Sequence, residues 1–62
     1  MNIETVKPAA RVGVRLEGDL KVWEARVVEV NAQRQPRSVK VRLTSLHHDL
    51  WVSPDEILQE VP

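Results

Sequence analysis

Hydrophobic and polar positions alternate through most of this chain, and alternation with a period of two is the signature of half-buried β-strands. Val12, Val14 and Leu16 alternate with Arg11, Gly13 and Arg15, which predicts a first strand over Arg11–Leu16. Gly13 is a weak point there and marks a bulge or a close backbone approach. A turn at Glu17–Leu20 leads into a longer strand over Lys21–Asn31. Its phase changes midway: Trp23, Ala25 and Val27 share one face, then Val28 and Val30 share the other, as a β-bulge produces. The polar segment Asn31–Ser38, which contains Pro36, reads as a hairpin loop. Val39, Val41 and Leu43 then alternate with Lys40 and Arg42 in a third strand. After a short turn at Thr44–Leu46, His47–Val52 forms a fourth strand in either of two phases; if Leu50 and Val52 point inward, His47, Asp49 and Trp51 project outward together. Ser53-Pro54-Asp55-Glu56 combines a capping serine, a proline suited to a first turn and a glutamate that completes a capping box. Only one turn fits before Ile57-Leu58 and a short closing strand.

This order predicts an all-β chain: a small five-stranded SH3-like barrel with one short 3₁₀ or α turn near the C-terminus. The barrel spans residues 11–62. Residues 1–10 form an N-terminal arm that Pro8 keeps out of a helix.

Sixty-two residues make one domain and leave a small core, since a chain of this size buries only about 60% of its unfolded surface. There is no cysteine, so neither a disulfide nor a thiolate metal site supplements that core. Self-association is the remaining supplement, and a homo-oligomer is expected. The lack of cysteine also fits a cytoplasmic location. With two Trp and no Phe or Tyr, the core falls to Val, Leu, Ile and Ala. No apolar run approaches the ~20 residues of a membrane span, and no secretory signal is visible. Met1 fits either a complete small gene product or an engineered start.

Net charge is zero, with nine basic and nine acidic side chains, which is not the bulk signature of a nucleic-acid binder. The distribution is uneven. Residues 32–46 hold four basic groups (Arg34, Arg37, Lys40, Arg42) and no acid; residues 47–62 hold four acids (Asp49, Asp55, Glu56, Glu60) and no Lys or Arg. Either the first block is a basic strip for phosphates, or the two blocks lie side by side in the sheet and pair. Pairing is the expected outcome.

Trp23-Glu24-Ala25-Arg26-Val27 has the aromatic-x-Ala-x-Val form of the long strand in Tudor and chromo-barrel domains, and Asp49-Leu50-Trp51-Val52 is similar to the segment before their terminal turn. Over roughly residues 12–58 the chain therefore resembles those domains. The resemblance implies the SH3-like barrel and a binding role. Readers of this type hold methylated lysine or arginine in an aromatic cage. Here Leu16, Leu43 and Leu46 stand where cage aromatics are common, so the cage itself is not implied.

His47-His48-Asp49 is the one cluster with catalytic or metal-binding character. Strand neighbours point to opposite faces, so His47 and His48 do not share a metal, and His47 with Asp49 supplies fewer ligands than zinc needs. No metal or cofactor is expected. Ser38, Ser45 and Ser53 sit at turn or cap positions, and there is no glycine-rich phosphate loop.

The leading expectation is a non-catalytic module that binds a protein or peptide, or its own copies, through Trp23 and Trp51 with His47 and Asp49 nearby. A second is a nucleic-acid-binding regulator that uses Arg34, Arg37, Lys40 and Arg42, with Trp51 as a stacking platform for RNA or DNA. A third is an oligomeric enzyme with its site at a symmetry axis around His47 and Asp49.

Overall fold

The computed structural model describes residues 6–16 and 18–61; the beginning of the arm, Glu17 of the first turn and Pro62 lie outside the described residues. The chain is all-β. Its strands are β1 (Arg11–Val14), β2 (Trp23–Val30), β3 (Val39–Leu43), β4 (His48–Val52) and β5 (Ile57–Glu60), with a single 3₁₀ turn over Pro54–Glu56 before the last. They form one antiparallel sheet of five strands in the order β4-β3-β2-β1-β5. Strands β4 and β5 are its two edges, and the sheet is not closed between them.

One side of the pleat is the core. Val12, Val14, Ala25, Val27, Val39, Val41, Leu43, Val52 and Ile57 are buried there. Val6 of the arm joins them, and Ala9 and Ala10 exchange backbone hydrogen bonds of 2.8 and 2.9 Å with Val27. Seven of these ten side chains are Val. Burying each contributes roughly 1.5–3 kcal/mol, and their stiff χ1 suits a pleated surface.

The phase change in β2 is a bulge. Pairing with β3 shifts between Val27 and Glu29, so Val28 has no partner residue and is left exposed. Gly13 behaves as its position suggests in two ways. The β1–β5 register shifts between Gly13 and Val14, and a Cβ at Gly13 would meet Val22 Cγ1 at 3.3 Å. The 3₁₀ turn has the expected start: the Ser53 N–H donates to Glu56 Oε1 at 3.0 Å, with Pro54 in the first turn.

Four strand ends differ from the sequence pattern, two of them in β2, which runs Trp23–Val30 rather than Lys21–Asn31. β1 stops at Val14, because the Arg15 N–H turns to the Glu56 carbonyl (2.8 Å). β4 starts at His48 rather than His47. His47 has a left-handed φ of 51° and donates its N–H to the Leu43 carbonyl at 2.8 Å, so it closes the β3–β4 turn instead of continuing the strand. An alternating pattern does not register a residue that the turn claims.

Candidate functional site

The two tryptophans, expected to share a surface, line different clefts. Trp23 opens β2 on the core side of the pleat and packs half-buried against the core. Its indole N–H donates to Asp19 Oδ2 at 2.9 Å, and Lys21 Nζ lies 4.0 Å from the ring centroid. Asp19 also accepts the Lys21 N–H at 3.0 Å. These bonds, the one from Trp23 first, hold the Asp19 carboxyl below the usual carboxylate range. Trp23 is thereby locked to the first turn.

Trp51 lies on the opposite side of the pleat, on edge strand β4, across from Lys40 of β3. Arg34 stacks over it, with the guanidinium 4.5 Å from the ring centroid. The loop between β2 and β3 builds that placement. Asn31 Oδ1 accepts the Gln33 N–H (3.1 Å), the Asn31 carbonyl accepts the Arg34 N–H (3.0 Å), and Gln35 Nε2 donates back to the Ala32 carbonyl (2.9 Å). A loop that satisfies its own polar groups carries Arg34 out over the β4 edge. Beside the ring is a cleft of about 440 Å³ with Leu16 and Leu50 as apolar walls and Arg34, Arg37 and Glu56 as its charged lining. Among the described residues the Trp51 indole N–H has no acceptor.

The basic strip is divided. Arg42 is directly across from Asp49 and forms a forked pair with it, Nε to Oδ1 at 2.7 Å and Nη2 to Oδ2 at 3.1 Å. The two hydrogen bonds from Arg42 lower the Asp49 pKa and raise that of Arg42. Arg34 stacks on Trp51, Lys40 pairs in register with Trp51 and with Glu29, and Arg37 borders the cleft. Of the acidic block, Asp49 meets the basic strip as pairing required; Asp55 and Glu56 line a second depression with Arg15 and Arg37.

His47 and Asp49 do not converge on a common point of chemistry. Asp49 is engaged by Arg42, while His47 borders a separate depression with Arg26 and Arg42. Among the described residues no group of three His, Asp or Glu side chains is placed to hold a metal ion. No helix among them is long and apolar enough to cross a membrane. Sequence reading did not single out Leu16, Leu50 or Glu56 as cleft residues. Their signals in the sequence are of other kinds: Leu16 stands where a cage aromatic is common, Glu56 completes the capping box, and Leu50 is an inward neighbour of Trp51.

No family model, no curated protein and no solved structure matches this chain.

Proposed function

We propose that this protein is a non-catalytic interaction module with an SH3-like arrangement of strands, opened between β4 and β5, and that its working surface is the cleft beside Trp51. Support for the SH3-like reading comes from the meander, the bulged β2 and the 3₁₀ turn immediately before a β5 that returns to β1. The observation that carries the functional reading is Trp51. It is a half-exposed aromatic on an edge strand, with an N–H that no described residue accepts and, at its side, a cleft walled by Leu16 and Leu50. Aromatic and arginine side chains in that setting dominate binding energy at protein interfaces. Arg34 and Arg37 favour a partner segment that sets a carboxylate next to an apolar side chain.

The test is a display selection of short peptides on the immobilised protein, repeated on Trp51→Ala. Enrichment of acidic-apolar segments that Trp51→Ala fails to retain supports the reading. Enrichment unaffected by the substitution overturns it. A labelled RNA or DNA pool binding with a steep salt dependence would replace it with the nucleic-acid reading.

Self-association is a second reading with its own support. Val22 and Leu58 are exposed large apolar side chains bordering one cleft next to β5, which is an edge strand of the sheet among the described residues. An exposed edge strand with apolar side chains is a template for a second copy. Sedimentation velocity of the wild type and Leu58→Asp checks it: a dimer that the charge dissociates is the expected outcome.

A further inference from the structure

The outward face of the sheet carries a row of cations that the pairing of blocks leaves unbalanced. Arg11 is directly across from Arg26, and Arg26 directly across from Arg42. All three alternate with buried core positions, so they stand on the same side of the pleat. Like charges directly opposite one another destabilise a sheet. The ends of the row are compensated: Arg11 Nη2 meets Glu24 Oε1 at 2.9 Å, and Arg42 meets Asp49. The central Arg26 is not. Its hydrogen bond runs from Nη1 to the neutral Ala9 carbonyl at 3.0 Å, and among the described residues no carboxylate pairs with it.

Between Arg26 and Arg42 lies a depression of about 220 Å³. Its other walls are Val28, Thr44 and His47, and none of its lining side chains is acidic. Two irregularities of the backbone build it. The β2 bulge exposes Val28 beside Arg26, and the left-handed His47 sets the imidazole at the end of the β3–β4 turn. A left-handed conformation is uncommon for a residue other than glycine, and such positions cluster at binding and catalytic sites.

We propose that this depression binds a tetrahedral oxyanion of the phosphate type, free phosphate or a phosphomonoester. Arg26 is the principal cation, Arg42 is held in place by Asp49, and the Thr44 hydroxyl and the His47 ring supply further donors. Arginine suits the role because its planar fork matches phosphate oxygens in a bidentate geometry. An anion here would also relieve the repulsion along the arginine row. The site is independent of the Trp51 cleft and of any partner docked there.

The experiment is a titration of the full chain with inorganic phosphate at fixed pH and fixed ionic strength, followed by the NMR signals of the His47 ring and the Arg26 Nε–H. A parallel arm uses glycerol phosphate, and sodium chloride is the control. The expected result is a saturable shift with a millimolar dissociation constant, weakened about tenfold in Arg26→Gln and unchanged in Arg15→Gln. Gln keeps a donor for the Ala9 carbonyl, and Thr44→Val, expected to weaken binding about threefold, is an independent check should Arg26→Gln unfold. Tighter binding of glycerol phosphate than of phosphate identifies a phosphorylated ligand; the reverse order identifies the free ion. Shifts that chloride reproduces, or that Arg26→Gln and Thr44→Val both leave unchanged, overturn the proposal.

Discussion

Trp23 and Trp51 are the only aromatic side chains of the Phe, Tyr and Trp kind, and they are put to opposite uses. Both rings are partly buried and both have a cation over one face. The difference lies in what surrounds the rest of each ring. Trp23 is on the core side, with its N–H bound by Asp19 and its cation supplied by Lys21 two residues away. Trp51 is on the outward side of an edge strand, with a cation borrowed from a distant loop and an N–H that no described residue accepts. A residue type does not decide between structure and recognition. What decides is whether the local chain has already used its interaction capacity.

The sharpest way to break this comparison is truncation. Trp23→Ala is expected to cost about 3 kcal/mol, the low end for an aromatic truncation because the ring is only half-buried. Urea denaturation measures it; a loss no larger than that of Trp51→Ala would put the two rings on an equal footing. Ser38 lies at the root of the loop that carries Arg34, fully buried, and its hydroxyl has no hydrogen-bond partner among the described residues. Replacing an unsatisfied buried hydroxyl removes a desolvation penalty, so Ser38→Ala should raise stability by about 1 kcal/mol. A drop in the denaturation midpoint would mean that the hydroxyl is bonded after all. Trp51→Ala should change stability by less, about 0.5 kcal/mol, while abolishing capture of the selected peptides.

Acid titration sharpens the same contrast at its two carboxylates. The folded-state pKa values of Asp19 and Asp49 are both lowered, Asp19 chiefly by the Trp23 N–H and Asp49 chiefly by Arg42. The stabilisation each provides is present above the unfolded carboxylate value of about 3.9 and is lost as pH falls through the lower folded value. Asp19→Asn and Asp49→Asn should each flatten the acid limb of a stability-against-pH curve below about pH 4. Only Asp19→Asn should shift Trp23 fluorescence along with it. An unchanged acid limb in both variants would remove these carboxylates from the account.

Much of the sheet was legible because its signals are local. The alternation in Val12–Val14 and Val39–Leu43, the phase change at Val27-Val28 and the Ser53-Pro54-Asp55-Glu56 start depend on neighbours a few residues away. The start of β4 was less so: His47 fits an alternating pattern, yet its N–H is taken by the Leu43 carbonyl when the turn closes. The pairing of basic with acidic blocks was legible in outline, and the Arg42–Asp49 fork realises it. That Trp23 and Trp51 would line separate clefts was not, because the two clefts are lined by residues drawn from distant parts of the chain.

The sequence by itself determined the all-β character, the approximate strands, the bulge and the terminal turn, because side-chain period, proline and capping residues act on the backbone where they stand. Only the tertiary structure decided the partners. It set Arg11, Arg26 and Arg42 in one row, gave Asp49 to Arg42 and left Arg26 without a carboxylate among the described residues. It also swung Arg34 over Trp51. Cross-strand register is fixed by the collective burial of the valine face and by the slip of one residue at each bulge, and no short stretch of the chain encodes that sum.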